Sequence, residues 1–218
     1  MVLLYEILGW KVPLADKIPG PSRLLKDIYD KTYMQEDFNT CDGYIKLHDE
    51  IYTVLHDKKE TIITVGGERS IVTSCWTATK KYFPDCILVY ISPSYDCESV
   101  IKEGKRFSYS NYTIASLTGN CKYKYFDKQS VNKKSLSDII LLGMDKESDE
   151  DATFLESNEI DVYSDKIMKD KEKLIFEHLK SSFAGKPIHI CLDVEVNRLS
   201  KYIKFIKEMI GNVVCLNI

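Results

Sequence analysis

The sequence predicts an α/β protein with three layers, in which helices cover both faces of a mostly parallel, doubly wound sheet. The first observation is a set of short runs rich in β-branched and apolar residues, each bounded by glycine, proline or charged residues. The second is that longer stretches with a helical spacing of apolar residues separate these runs. Strands that alternate with helices form βαβ units, and such units build a parallel sheet that is buried on both faces.

The predicted elements follow one another along the whole chain. The strands cover Val2–Leu8, Thr61–Val65, Cys86–Ser92, Asp138–Leu142, Ile160–Tyr163, Ile188–Val194 and Val213–Asn217. Four apolar stripes predict helices, and their members are Leu24, Ile28 and Tyr29, then Ile45, Leu47, Ile51, Val54 and Leu55, then Leu174, Ile175, His178 and Leu179, and finally Tyr202, Phe205, Ile206 and Met209. The proline-rich segment Lys11–Pro21 and the acidic run Asp145–Asp151 are expected to be surface loops.

Length and cysteine content predict a single cytoplasmic domain. A chain of 218 residues can bury a substantial core, so we expect one domain over residues 1–218. The seven cysteines are odd in number and include no C-x-x-C pair, which argues against a disulfide framework and a zinc ribbon and indicates a reducing compartment. The apolar opening Met1–Leu8 is interrupted by Glu6 and is too short to span a membrane, so no membrane partner is expected.

The formal net charge of −3 disfavours a surface that is basic throughout and coats nucleic acid. The charges are nevertheless unevenly distributed along the chain. Residues 102–134 contain eight basic and two acidic residues, a local charge of +6, whereas residues 145–172 contain eleven acids and four lysines, a local charge of −7. These two segments could attract each other, within one molecule or between copies.

Candidate chemistry lies just beyond the predicted strands, because doubly wound sheets bind ligands at the carboxyl ends of their strands. Four places stand out there, namely Gly66–Ser70, Ser92–Asp96, Ser110–Thr113 and Asp193–Glu195. The alternation along the seventh predicted strand places His189, Cys191, Asp193 and Glu195 on one face. Two carboxylates on one face are costly unless a positive group meets them.

The order of these motifs resembles that of the ureohydrolases, the arginase and agmatinase family. The chain has Gly-Gly-Glu-Arg-Ser, Ser-Pro-Ser-Tyr-Asp, Ser-Asn-Tyr-Thr, Ile-Leu-Leu-Gly-Met-Asp and Leu-Asp-Val-Glu. The family carries Gly-Gly-Asp-His-Ser, Asp-Ala-His-Ala-Asp, Gly-Asn-x-His-Gly, Gly-x-Arg-Asp and Asp-Val-Asp in the same order. The resemblance covers about residues 1–218 and rests on order and spacing more than on identity; it implies an arginase-like fold.

The resemblance also implies where a metal centre would lie and how this chain departs from it. Enzymes of the family hold two Mn²⁺ ions whose bridging hydroxide attacks a guanidinium carbon and releases urea. The family's metal ligands fall on Arg69, Ser92, Ser94, Asp96, Asp193 and Glu195, and a histidine that handles substrate falls on Thr113. Both metal-binding imidazoles are therefore replaced. The chain also stops after its last predicted strand, where a substrate-contacting glutamate and a final helix follow in the family.

Three carboxylates cannot hold two Mn²⁺ ions, each of which takes about six oxygen or nitrogen ligands. A permanent guanidinium cation among those carboxylates repels a metal and can pair with Asp193 or Glu195. We therefore predict that Arg69 is a metal substitute and that the protein binds no metal and no cofactor. Other candidates favour structural roles: hydrogen bonding for Ser92 and Ser94, surface positions for His48 and His56, and core packing for His189 with Cys191.

The resulting hypothesis is a catalytically inactive ureohydrolase-like protein that serves as a binding, scaffold or assembly component and self-associates or binds a protein partner. Its contact surface would include the lysines of the basic segment, Lys122, Lys124, Lys128, Lys133 and Lys134. Two alternatives remain open, a divergent metal-dependent amidinohydrolase and an accessory nucleic-acid-binding protein that uses residues 102–134. The bias towards Lys, Ile, Tyr, Asp and Asn suggests an AT-rich genome, and a large DNA virus, with the protein in the virion or at an assembly site, is one such setting.

Overall fold

An eight-stranded sheet organises the chain in a computed structural model that describes residues 2–8, 31–34, 41–66, 69–99, 109–121, 136–145 and 148–218. The strands are β1 (Val2–Leu8), β2 (Lys31–Met34), β3 (Thr61–Gly66), β4 (Ile87–Ile91), β5 (Ile139–Leu142), β6 (Asp161–Tyr163), β7 (Ile188–Leu192) and β8 (Val213–Asn217). Their order across the sheet is β2-β1-β3-β8-β7-β4-β5-β6, and every pairing is parallel. All strands therefore end at the same edge of the sheet.

Helices connect the strands within the described residues. They are α1 (Cys41–Leu55), α2 (Val72–Tyr82), α3 (Thr113–Leu117), α4 (Asp149–Ser157), α5 (Asp165–Ser182) and α6 (Leu199–Met209). Each of the α4 and α5 N-termini is capped by a serine, Ser148 or Ser164, whose hydroxyl accepts a backbone N–H of the first turn. None of the described helices combines the length and the apolar content that a bilayer crossing requires.

Alternation along the central strands creates a core on each face of the sheet. In β4, Ile87, Val89 and Ile91 pack with the buried faces of α5 and α6. Leu88 and Tyr90 point the other way and pack with α2, α3 and α4. A neighbouring cluster on that second side joins α1 and α2 to β3 and β8. The predicted three-layer α/β architecture is therefore confirmed.

Most of the predicted elements are present, with shorter bounds. Each of the seven predicted strands exists, although β4 ends before Ser92 and β7 ends before Val194. The strand Lys31–Met34 was not predicted, because a four-residue strand at the sheet edge has too little apolar pattern to be recognised. Three of the four apolar stripes lie on helices, namely α1, α5 and α6. The stripe of Leu24, Ile28 and Tyr29 and the loop Lys11–Pro21 lie outside the described residues.

Two expectations about surface residues are corrected. The acidic run was predicted to be a loop, but α4 begins at Asp149, because Ser148 and Asp151 form a capping box and acidic residues favour a helix N-terminus. His48 was expected on the surface, but it is completely buried, with Nδ1 2.6 Å from the Ser74 hydroxyl. The five lysines of the predicted contact surface, residues 122–134, lie outside the described residues.

Candidate functional site

A cleft opens at the carboxyl ends of three neighbouring strands, β3, β8 and β7. Its volume is about 230 Å³, and its walls are formed by Gly66, Arg69, Ile71, Cys191, Leu192, Asp193, Val194, Glu195, Asn217 and Ile218. This is the edge where an open parallel sheet with crossover connections binds ligands. The cleft is therefore the candidate functional site.

Arg69 is one of the residues that line this cleft. It follows β3 and begins a short 3₁₀ turn, Arg69–Ile71, that leads directly into α2. Its guanidinium donates from Nε to Asp96 Oδ2 at 2.8 Å, from Nη2 to Asp96 Oδ1 at 3.2 Å, and from Nη1 to Asp193 Oδ2 at 2.7 Å. One side chain thus pairs with two carboxylates, and the contact with Asp96 is bidentate.

Asp96 is held in place by its backbone as well as by its side chain. Its φ of 51° is in the left-handed region, which aspartate tolerates better than most residues. Its carbonyl accepts the Ile114 N–H at 2.9 Å, and its Oδ2 accepts the Tyr90 hydroxyl at 2.5 Å. Tyr90 comes from β4 and is fully buried. Three side-chain hydrogen bonds and one backbone hydrogen bond therefore fix this carboxylate towards Arg69.

Asp193 turns the chain immediately after β7. Its N–H donates to the Ile91 carbonyl at 2.8 Å, which continues the pairing of β7 with β4 by one residue. Its Oδ1 accepts the N–H of Glu195 at 2.8 Å, the pattern of an Asx turn. Its Oδ2 accepts Arg69 and lies 3.5 Å from the Ser92 hydroxyl.

Because Asp96 and Asp193 are buried, their negative charges depend on the positive charge of Arg69 for stabilisation. The side chains of Asp96 and Asp193 are 2% and 7% exposed, whereas that of Arg69 is 24% exposed. Burial alone would lower the pKa of Arg69, but the charge of Asp96 and its hydrogen bonds raise the pKa above the ordinary value. Burial raises the pKa of Asp96, and Arg69 and Tyr90 oppose that shift. Arg69 is therefore a permanent cation in this site.

The sequence-predicted site residues are brought together only in part. Arg69, Ser92, Asp96 and Asp193 meet, whereas Glu195 is exposed and its carboxylate forms no ion pair within the described part of the chain. The expected pairing of Arg69 with Asp193 is present, and Asp96 takes the place that Glu195 was expected to share. The strand alternation that placed Glu195 beside Asp193 ends at Leu192, where the Asx turn redirects the chain.

The remaining candidates lie around this cluster. The N–H of Ser94 donates to the Ser92 hydroxyl at 3.1 Å, a local turn contact. Thr113 is fully buried at the start of α3, one residue before the Ile114 N–H that binds Asp96. His189 and Cys191 are both buried, as expected for core packing.

Sequence reasoning missed two groups of polar residues. The first is Tyr90, which lies on β4 two residues before Ser92 and therefore on the same face of the sheet as the site. The other group surrounds His189, whose Nε2 lies 2.5 Å from Asn217 Oδ1 and whose Nδ1 lies 3.0 Å from the Thr79 hydroxyl. Asn217 donates in turn to the Thr64 hydroxyl. A polar residue inside each of the apolar strands β3, β7 and β8 was the signal available for this network.

The side chains present do not fit the two Mn²⁺ ions that the motif resemblance implies. The guanidinium nitrogens already occupy Asp96 Oδ1 and Oδ2 and Asp193 Oδ2. Glu195 lines the same cleft but is exposed and does not join this cluster. A divalent ion 4 Å from the guanidinium would be repelled by about 8 kcal/mol at an effective dielectric constant of about 20. Among the described residues, no three His, Cys, Asp or Glu side chains are grouped as a metal site.

The chain is similar to arginases in both sequence and fold. A model of the Arginase family matches residues 19–199. Arginase from Bacillus subtilis subsp. subtilis strain 168 superposes with a TM-score of 0.80 at 10% identity, covering 100% of this chain and 89% of that chain. Entamoeba histolytica arginase, solved in complex with L-ornithine, gives 0.73 at 14% identity, covering 99% and 90%.

The solved structures with this fold include an enzyme that is not named as an arginase. Proclavaminate amidino hydrolase from Streptomyces clavuligerus gives a TM-score of 0.66 at 10% identity, covering 99% of this chain and 81% of that chain. A search of curated proteins finds no match. At such identities the superpositions show a shared fold, and the chemistry of the site has to be argued from its own residues.

Proposed function

The chain belongs to the arginase family, and we propose that it is a catalytically inactive member of that family that acts as a binding, scaffold or assembly component. The observation that carries the proposal is the Arg69 guanidinium between Asp96 and Asp193. A side chain that neutralises the carboxylates of a metal centre removes both the ligands and the charge that a metal-bound hydroxide would need. The proposed cytoplasmic or virion setting rests on cysteine usage and compositional bias alone.

An assay of urea release tests the loss of activity. The purified protein is incubated with Mn²⁺ and either arginine or agmatine, and we expect no urea above the background. Urea release that disappears in Asp193→Asn would contradict the proposal, because it would show that this carboxylate serves a reaction.

The binding role is expected to use the oppositely charged segments. The described part of the acidic segment presents exposed carboxylates, including Asp149 and Glu150 in the first turn of α4. An acidic surface attracts a basic partner, including residues 102–134 of a second copy, over about one Debye length. We therefore propose self-association through these two segments.

Light scattering on purified protein measures this self-association. We expect a mass above that of one chain at low salt, and a lower mass in the variant Asp149→Lys with Glu150→Lys. The matched control, Lys204→Glu with Lys207→Glu on the exposed face of α6, changes the same number of charges in the opposite sense and should leave the mass unchanged. A monomer under all of these conditions that also captures no partner would overturn the proposed role.

A divergent amidinohydrolase is the second candidate. The cleft of about 230 Å³ beside Asp193 and Glu195 is large enough to admit a small cation, and family membership is compatible with activity. Its weakness is that no set of described side chains is placed to activate water. The same urea assay separates the two candidates.

A further inference from the structure

The Arg69 cluster joins parts of the chain that are distant in sequence. Arg69 follows β3, Asp96 follows β4 and Asp193 follows β7, so the two ion pairs span 27 and 124 residues. In the sheet, β8 lies between β3 and β7, and β7 pairs with β4. One guanidinium therefore cross-links three strand ends on the rim of the cleft.

The shape of the guanidinium matches its partners. Two adjacent nitrogens, Nε and Nη2, face the two oxygens of Asp96, and the third nitrogen, Nη1, faces Asp193. The other donors to these carboxylates also come from the protein, namely the Tyr90 hydroxyl, the Glu195 N–H and, at 3.5 Å, the Ser92 hydroxyl. The carboxylates are thus arranged for a flat cation with several donors, whereas a spherical ion would need ligands on all sides.

We propose that Arg69 serves as the structural cation of this fold, and that Asp96 and Asp193 form a binding pair selective for a guanidinium group, which an external guanidinium compound can occupy once Arg69 is shortened. The pair lies at the site already described, but its selectivity and its structural role do not depend on whether the protein is a scaffold or an enzyme. Two carboxylates that are less than one-tenth exposed require a positive partner to remain ionised.

Chemical rescue of Arg69→Ala tests this inference. N-ethylguanidinium contains the atoms that this substitution removes, and ethylammonium is a control with the same charge but without the fork. We expect the melting temperature of Arg69→Ala to fall by about 10 °C, because both buried carboxylates lose their partner. N-ethylguanidinium at ten times its dissociation constant should restore about 4 °C, and wild-type protein should gain nothing.

Three results would overturn the inference. Equal rescue by ethylammonium would remove the selectivity for a guanidinium, and an unchanged melting temperature in Arg69→Ala would remove the structural role. An absence of any rescue would remove the binding pair. If Arg69→Ala does not fold alone, refolding that depends on N-ethylguanidinium is the readout.

A second variant, which keeps the positive charge, tests the requirement for the guanidinium fork. Arg69→Lys retains the charge but loses the planar fork, so it should be less stable than wild type by several degrees and should gain little from N-ethylguanidinium. A variant as stable as wild type would contradict the requirement for a fork. Activity in the urea assay would instead contradict the proposed function, so the failures of the two proposals can be told apart.

Discussion

Arg69 supplies the positive charge that two buried carboxylates beside the cleft require. The two aspartates that meet Arg69 are nearly as buried as core residues, and each uses its remaining acceptor capacity on a donor from the protein. The cation is covalently part of the chain, so it is present at every metal concentration. Family membership therefore identifies the fold of this chain, whereas one residue sets the charge of the site.

The Tyr90 hydroxyl should contribute measurably to stability, because it donates to a buried carboxylate. We expect Tyr90→Phe to lower the free energy of unfolding by about 2 kcal/mol. Tyr202→Phe is a matched control, since the Tyr202 hydroxyl is also buried but has no hydrogen-bond partner among the described residues. Urea denaturation measures both variants, and equal losses would contradict the assigned role of Tyr90.

Two buried histidines predict a loss of stability in acid. Burial lowers the pKa of His48 from 6.5 to about 3 and that of His189 from 6.5 to about 4. Below pH 6.5 the unfolded chain takes up protons that the folded protein refuses, so the free energy of unfolding falls as the pH falls, by about 2 kcal/mol per histidine between pH 7 and pH 5. The raised pKa of Asp96 acts in the opposite sense, because the folded protein then takes up this proton more readily than the unfolded chain does.

Urea denaturation at several pH values checks the contribution of the histidines. His48→Gln should flatten the pH dependence, whereas His178→Gln, at an exposed position of α5, should leave it unchanged. If the buried and the exposed variant respond identically to pH, burial is not the cause of the acid sensitivity.

The turns that follow β4 and β7 determine which side chains reach Arg69. The Asx turn after Leu192 keeps the Asp193 carboxylate on Arg69, whereas Glu195 lines the cleft from an exposed position without reaching the guanidinium. The left-handed conformation of Asp96 similarly returns its carboxylate towards Arg69 after β4. The sequence predicted where β4 and β7 would lie, because β4 is a continuous apolar run and β7 has apolar residues at alternate positions. It could not predict the turns that follow, because these depend on local hydrogen bonds of one or two residues.

Substitution of Gly143 by alanine tests the packing at the end of β5, and Gly185 and Gly211 are the controls. Gly143 follows β5 with a φ of 81°, and a Cβ there would lie 2.7 Å from Val196 Cγ2 and 2.8 Å from the Tyr202 hydroxyl oxygen. Gly185 has a φ of 74° in open space, and Gly211 has neither constraint. We expect alanine to cost about 3 kcal/mol at Gly143, about 1 kcal/mol at Gly185 and little at Gly211. Unfolding free energies in any other order would contradict this account.

For the molecule as a whole, the pattern of alternating elements was sufficient to predict the fold. The apolar runs of β3, β4, β5, β7 and β8 are long enough to be recognised, and their order along the chain is that of a doubly wound sheet. The motif order also indicated which residues would meet at the rim. The pairing of Arg69 with Asp96 was not predicted, because it depends on the left-handed backbone of Asp96, which directs the carboxylate towards the guanidinium and leaves no pattern in the sequence.

Calorimetric titration of the wild-type protein with Mn²⁺ tests most directly the central claim that Arg69 takes the place of a metal. The account predicts no saturable heat at micromolar Mn²⁺, because the guanidinium already neutralises Asp96 and Asp193. Saturable binding in the micromolar range that is lost in Asp193→Asn would contradict it, since a metal would then have displaced Arg69 from its two carboxylates.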